Sequence, residues 1–446
     1  MQPYELSATE ASELIAAKKL SCEELARSTL DYIALRDSLV QAWSYVDPRQ
    51  VLRNARELDK TAPASKLHGL TFGVKDIMDT KDMPTTHNSP IYQNHWPSKD
   101  AACVAVVRHS GALIVGKTDT VEFASGGRRA ATRNPFNLAH TPGGSSSGSG
   151  AAVGDKMVQL TFGTQTAGSL IRPAAYNGVY CIKPTLGLVS SEGVKQVSPS
   201  LDTVGWYGRS VADLQLVSGA FRLPGLDDAK PVALKGLKVG LCRTPHWEEI
   251  TESGSAALFE AARRLEAAGA IVTELDLPAK FDRMTEAQLV LMRGEGGIAF
   301  LPNYLGDLPL LNQAHRDMVE NSFHVTPEQM VWADDHAAEC RREFDALFGR
   351  DLDIVLTPAS SGEAPEGLDS TGTRVFNSMW TLLHVPCVAI PVGVGPRGLP
   401  LGIQLIGPRF ADARVMAIAA ACAPAIHVEG KLAPVALDAK SRAALA

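Results

Sequence analysis

The sequence predicts one large α/β domain, and three observations carry that expectation. From Leu70 onward short apolar runs alternate with helical stretches, the pattern of a sheet covered by helices on both faces. At 446 residues, 45% hydrophobic and 21% charged, the chain is long enough and ordinary enough in composition to bury a sizeable core. No internal repeat and no Pro-rich linker divides it.

Two capping boxes open the chain, Ser7 with Glu10 and Ser21 with Glu24, each ahead of apolar residues at helical spacing such as Leu25, Leu30 and Ile33. They predict a helical hairpin over the first forty residues. A third helix is expected after Asp47 and Pro48, through Val51, Leu52, Ala55 and Leu58. Strands are predicted in LTFGV from Leu70, ALIVGK from Ala112 and MVQLTFGT from Met157. Further strands are expected in KVGLC at Lys238 to Cys242, AIVTELDL at Ala270 to Leu277, DIVLT at Asp353 to Thr357, CVAIPVG at Cys387 to Gly393 and LGIQLIG at Leu401 to Gly407. Helices fill Thr251 to Ala268 and Ala411 to Cys422, and residues 280 to 350 read as a mainly helical, more polar cover over one end of the sheet.

Lys plus Arg number 43 against 49 Asp plus Glu, a net charge of -6 with no long run of either sign, so no nucleic-acid partner is expected. The longest uncharged apolar stretch, Val415 to Ile426, is far short of the ~20 residues that span a bilayer, and no membrane association is expected. The start MQPYELSATE lacks a basic segment followed by an apolar core, so the expected location is cytoplasmic. Seven cysteines, Cys22, Cys103, Cys181, Cys242, Cys340, Cys387 and Cys422, are scattered without a C-x-x-C pair, which argues against a disulfide framework and a cysteine-ligated zinc site.

Residues 141 to 150 read TPGGSSSGSG, and 163 to 173 read GTQTAGSLIRP. Small residues this dense leave main-chain N–H groups available to a ligand, although such a segment read alone also suits a flexible surface loop. A phosphate cradle fits poorly, since neither the Walker ending Gly-Lys-Ser/Thr nor G-x-G-x-x-G is present. Ser169, directly after Thr166, Ala167 and Gly168, has the setting an acyl-transfer nucleophile needs: a hydroxyl beside converging N–H groups. Of the histidines, His87, His140 and His384 stand near motif-like sequence, yet none has a nucleophile-elbow context, and each reads better as a surface or satisfied core residue. Lys75, at the end of an apolar strand, is the candidate base: burial lowers a lysine pKa by up to ~3 to 5 units. An isolated V-K-D also suits a surface lysine paired with Asp76 or Asp79.

GVKDI at 73 to 77, GGSSSG at 143 to 148 and GTQTAGS at 163 to 169, with Ser145 standing 24 residues before Ser169, together resemble the amidase signature family. The likeness continues through Arg172-Pro173-Ala174, GVYCIKPTLGLVS and the C-terminal TPA, VPCVAIPVG and GLPLGIQLIG elements. It implies a single domain around a mixed, mostly parallel sheet with helices on both faces. Its parts are N-terminal helices over 1–60, a signature core over 61–225, a mainly helical cover over 226–350, and a C-terminal part of the sheet over 351–446. It also implies Ser169 as nucleophile, Ser145, after a cis peptide, as proton relay, and Lys75 as base. The oxyanion hole falls to the N–H groups of Thr166, Ala167, Gly168 and Ser169, while Ser146 and Thr164 orient the lysine and relay serine. Such chemistry needs no metal and no cofactor.

Gln165 and Ala167 replace an aspartate and a glycine frequent in the family, and Arg172 stands three positions after Ser169. This resembles the malonamidase branch and implies that Arg172 clamps a carboxylate on a small amide substrate. The alternative for Arg172 is a structural role, bonding carbonyls beneath the glycine loops. The expected function is hydrolysis of a small, carboxylate-bearing amide, releasing ammonia or an amine, in a possible homodimer. Two alternatives keep the chemistry: the amidase subunit of a tRNA-dependent glutamine amidotransferase, and an amidase for neutral or aryl amides. A third, a scaffold without activity, sits badly with three intact triad positions.

Overall fold

Both N-terminal capping boxes close as their spacing predicts: Ser7 and Ser21 accept from the N–H groups of Glu10 and Glu24, whose carboxylates reach back to the capping backbone. They start α1 (Ala8–Ala16) and α2 (Cys22–Val40). After β1 (Trp43–Val46), Asp47 caps α3 (Pro48–Asp59), with Pro48 in its first turn. The structure is a computed structural model that describes every residue except Met1, Ala64, Asp227, 428–433 and 437–446, so part of the expected 351–446 segment lies outside the described residues.

The chain continues through β2 (Thr71–Lys75), α4 (Ala102–His109), β3 (Leu113–Thr118), α5 (Ser147–Gly154), β4 (Leu160–Gln165), α6 (Ile171–Tyr176), β5 (Tyr180–Lys183) and β6 (Thr203–Gly208). Next come α7 (Val211–Ala220), β7 (Lys238–Leu241), α8 (Glu252–Ala267) and β8 (Ile271–Glu274), then three helices, α9 (Met284–Asp307), α10 (Gln313–Val319) and α11 (Pro327–Ala346). The chain then forms β9 (Ile354–Pro358), α12 (Val375–Leu382), β10 (Cys387–Val394), β11 (Pro400–Ile406) and α13 (Asp412–Ile426).

Among the described residues eleven strands form one mixed sheet in the order β1-β3-β2-β4-β6-β5-β10-β11-β9-β7-β8, flanked by helices. The expected excess of parallel pairing is not found. Parallel ladders are confined to β3-β2-β4 and β9-β7-β8, and the other six are antiparallel. The reason is in the connections: parallel neighbours need a long crossover, whereas β10 and β11 are joined by a tight turn closed by Gly395 N–H to the Leu399 carbonyl at 2.8 Å. The strands β1, β5 and β6 had no counterpart in the sequence pattern. Residues 280 to 350 are mainly helical as expected, with α10 and α11 each packed on α9, which also meets α12.

The Gly/Ser stretch is no surface loop. Its residues 147–153 are buried in α5, where a Cβ added at Gly148 would lie 2.2 Å from the Ala42 carbonyl oxygen and 2.5 Å from the Asp119 nitrogen. The small residues there permit close backbone approach. Arg36 of α2 ties this helix down, its Nε and Nη2 donating to the two Asp155 oxygens at 2.8 and 2.7 Å with both side chains buried. Arg36→Ala leaves the buried Asp155 carboxyl without its cation, and is expected to cost about 3–5 kcal/mol in urea unfolding; Arg36→Met with Asp155→Leu should recover most of it. All seven cysteines are buried free thiols. None of the described helices is long and apolar enough to cross a membrane.

Candidate active site

Three parallel strands, β3, β2 and β4, end together, with Lys75 opposite Thr118 and with Thr164 and Gln165 at the end of β4. The carboxyl ends of such strands are where open α/β sheets bind ligands. Lys75 closes β2 and points inward, fully buried, rather than out to solvent. Its Nζ lies 2.8 Å from Ser145 Oγ, 3.0 Å from Ser146 Oγ and 2.8 Å from Thr164 Oγ1. The surface pairing with Asp76 does not occur: Asp76 faces the buried Lys117 at 3.4 Å. Burial pushes the Lys75 pKa well below its ordinary value, and the Asp202 carboxylate pulls the other way.

A neutral amine suits this shell. It offers two N–H donors and one lone pair, so three hydroxyls satisfy it when two accept and one donates. Ser146 donates its own hydrogen to the Thr164 carbonyl at 3.2 Å and therefore accepts from the lysine. Ser145 can then turn its hydrogen to the amine lone pair. Ser145 follows a cis Gly144–Ser145 peptide, and its carbonyl accepts from Thr120 Oγ1 at 2.9 Å. Ser145 and Ser169 line one cavity. No hydrogen bond joins their hydroxyls among the described residues; such bonds often tighten only around bound substrate.

The loop between β4 and α6 carries Thr166 to Ser169, and none of its four N–H groups has a partner among the described residues. Its carbonyls do. Thr166 O accepts from Gln288 Nε2 of α9 at 3.0 Å, Ala167 O from Thr381 Oγ1 of α12 at 2.6 Å, and Gly168 O from the Arg172 N–H at 3.1 Å. In a trans peptide the C=O and N–H point opposite ways, so anchoring three carbonyls presents the N–H groups of Ala167, Gly168 and Ser169 on the other side. Gln165 braces the same loop: its Oε1 accepts from Leu170 and Ile171 N–H, and its Nε2 donates to Thr381 Oγ1 at 2.9 Å. An aspartate there would lack that donor. Sequence reasoning missed Gln288 and Thr381, which lie more than a hundred residues beyond the loop with no local signature.

Thr381 is thus a positioning residue. Losing a direct oxyanion donor costs about 10²- to 10³-fold in kcat, and loosening the loop by Thr381→Val is expected to cost about tenfold, with KM nearly unchanged in steady-state assays.

The cavity measures about 390 Å³, within the range of small-ligand sites. Among the described residues its lining includes Ser145, Ser169, Arg129, Arg172 and Arg374 but no aspartate or glutamate. Arg172 bonds the Gly144 carbonyl, the Thr371 hydroxyl and the Thr373 carbonyl, as its alternative structural role requires, while its Nε has no partner. A larger groove of about 1310 Å³ elsewhere holds none of these residues. His140 Nδ1 and His384 Nε2 bond the carbonyls of Ala364 and Ser200, whereas the buried His87 packs on Tyr92 and Phe123 with its Nδ1 unpartnered among the described residues. Among the described residues no group of three or more His, Cys, Asp or Glu is placed to hold a metal ion.

A family model described as Amidase matches residues 24–416. Among curated proteins, a glutamyl-tRNA(Gln) amidotransferase subunit from Geobacter sp. (strain M21) is 30% identical over 94% of this chain and 97% of its own. The like-named protein from Ligilactobacillus salivarius (strain UCC118) is 30% identical over 89% and 91%. Among solved structures, the native peptide amidase from Stenotrophomonas maltophilia is similar with a TM-score of 0.80 at 26% identity, covering 98% of this chain and 100% of that one.

Proposed function

We propose, for a chain that belongs to the amidase family and is a hydrolase of amide C–N bonds, that Ser169, Ser145 and Lys75 act on a small amide bearing a carboxylate. Neutral Lys75 takes a proton from Ser145 as Ser145 takes one from Ser169, whose Oγ forms a bond to the amide carbon. The carbonyl oxygen gains the negative charge and is met by the N–H groups of the 166–169 loop. The proton returns through Ser145 to the nitrogen, the C–N bond breaks, and ammonia or an amine departs. Water then attacks the acyl-Ser169 ester by the same relay and frees the acid.

The observation that carries the substrate class is the charge of the cavity: among the described residues its lining has three arginines and no acidic side chain, and the nearby Asp202 carboxylate is taken up by Thr166 Oγ1 outside that lining. A carboxylate is attracted there, and an ammonium is repelled.

A second reading, the amidase subunit of a glutamine amidotransferase, is favoured by the end-to-end likeness to relatives bearing that name. An assembly partner has a surface to use, since Ile298, Leu301 and Leu305 form an exposed apolar row on α9. The two readings share their chemistry and differ in substrate. Glutamine brings an α-ammonium, for which the cavity lining offers no carboxylate among the described residues. Ammonia release from monoamides of dicarboxylic acids without an amino group, carboxylated ureas, glutamine, aliphatic amides and aryl amides separates them. The proposal expects the first two classes to have the highest kcat/KM. Glutamine as the best substrate, with other subunits copurifying, contradicts it and establishes the second reading.

A further inference from the structure

Arg172 spends most of its guanidinium on the protein. Nη2 donates to the Gly144 carbonyl and to Thr371 Oγ1, and Nη1 donates to the Thr373 carbonyl at 3.2 Å. What remains of five N–H donors is the one on Nε and one on Nη1, which do not share an edge of the fork. A bidentate carboxylate needs two parallel N–H groups on one edge, and the edge formed by Nε and Nη2 is half used. Arg172 is better placed to fix the Gly144 carbonyl, and through it the start of the Ser145 peptide, than to grip a substrate.

Arg374 is different. It stands at the N-cap of α12 and lines the same cavity as Ser145 and Ser169. Among the described residues its guanidinium makes no hydrogen bond and no ion pair. Glu249, bonded to the residue before it, accepts from Thr373 Oγ1 at 2.9 Å and does not line the cavity. The charge acting on Arg374 is that of another arginine, Arg293, which adds to desolvation in lowering its pKa. A partly desolvated cation with a cationic neighbour and its whole fork free is stabilised most by an anion entering the cavity.

We propose that Arg374, rather than Arg172, is the residue that binds the substrate carboxylate and sets the preference for it. The inference rests on the substrate reading above. Arg129, exposed at the cavity rim, adds attraction without a fixed contact. A substrate whose carboxylate lies against Arg374 places its amide between that anchor and Ser169, so the spacing between carboxylate and amide carbon becomes a second determinant of turnover.

The test compares Arg374→Ala, Arg374→Lys, Arg172→Ala and the parent protein on malonamate and on its uncharged methyl ester, with thermal melting to confirm folding. Arg374→Ala should lower kcat/KM for malonamate by about ten- to a hundredfold, chiefly through KM, and for the ester far less. Arg374→Lys should recover only part, because an ammonium lacks the fork. Arg172→Ala should lower kcat for both substrates together. Equal losses on acid and ester in Arg374→Ala, or a loss confined to malonamate in Arg172→Ala, overturns the assignment. If the parent protein turns over only neutral amides, the substrate reading fails on its own. Calorimetric binding of malonate then decides the clamp: a dissociation constant raised about tenfold or more in Arg374→Ala sustains it, and an unchanged one overturns it.

Discussion

Ser169→Ala is expected to remove amide hydrolysis, by about 10⁴-fold or more in kcat, while leaving the melting temperature within a few degrees of the parent. In the proposed reaction the acyl group is transferred to this Oγ, and alanine offers no acceptor in its place. Lys75, Ser145 and the unpaired N–H groups all remain, yet they have nothing to activate. Structural damage should be small, because Ser169 sits at the cavity wall and alanine fits the same space. Near-normal turnover by this variant would show that another group is the nucleophile. Titration with a serine-directed fluorophosphonate distinguishes residual hydrolysis by the variant from turnover by parent contaminant.

Lys75→Met should be nearly as severe, about 10²- to 10⁴-fold in kcat/KM, the range a positioned base supplies. Methionine fills the volume of a wholly buried side chain, so the strand should persist while Ser145 loses its proton acceptor. The pH dependence follows from the direction of the shift. As the proposed base Lys75 must be neutral to act, and burial lowers its pKa well below 10.5. The active fraction therefore rises with pH through that lowered pKa and levels off above it. Asp202 holds the lysine pKa up, so Asp202→Asn should move the acid limb of kcat/KM to lower pH. Activity that falls between neutral and mildly alkaline pH, before unfolding, contradicts a lysine base.

The parts of this fold that were legible in the sequence are those with local causes. Ser7-x-x-Glu10 and Ser21-x-x-Glu24 write their helices directly, because a capping box is satisfied within four residues. The apolar runs of β2, β3 and β4 stand out because both faces of each strand are buried. β1 is four residues with mixed exposure, and its place beside β3 depends on pairing with residues some seventy positions away, which no local pattern encodes. Strand direction was the larger error, although the Gly-Pro-Arg-Gly between β10 and β11 is a turn signal that favours a hairpin. At the site, Lys75, Ser145, Ser146, Thr164 and Ser169 were legible as a resemblance in three segments, and the structure brings them together. Gln288, Thr381 and Arg374 were not, because Gln288 of α9 and Thr381 of α12 reach the 166–169 loop, and Arg374 at the start of α12 reaches the cavity, through tertiary packing alone.

The central claim is that Ser169 is a nucleophile activated by buried Lys75 through Ser145. Labelling with a serine-directed fluorophosphonate, followed by intact mass and peptide mapping, tests it most directly. The account predicts one adduct per chain, on the peptide carrying Ser169, absent in Ser169→Ala and formed much more slowly in Lys75→Met and Ser145→Ala. An adduct on another residue, or labelling of Ser169 at an unchanged rate without Lys75, would contradict it.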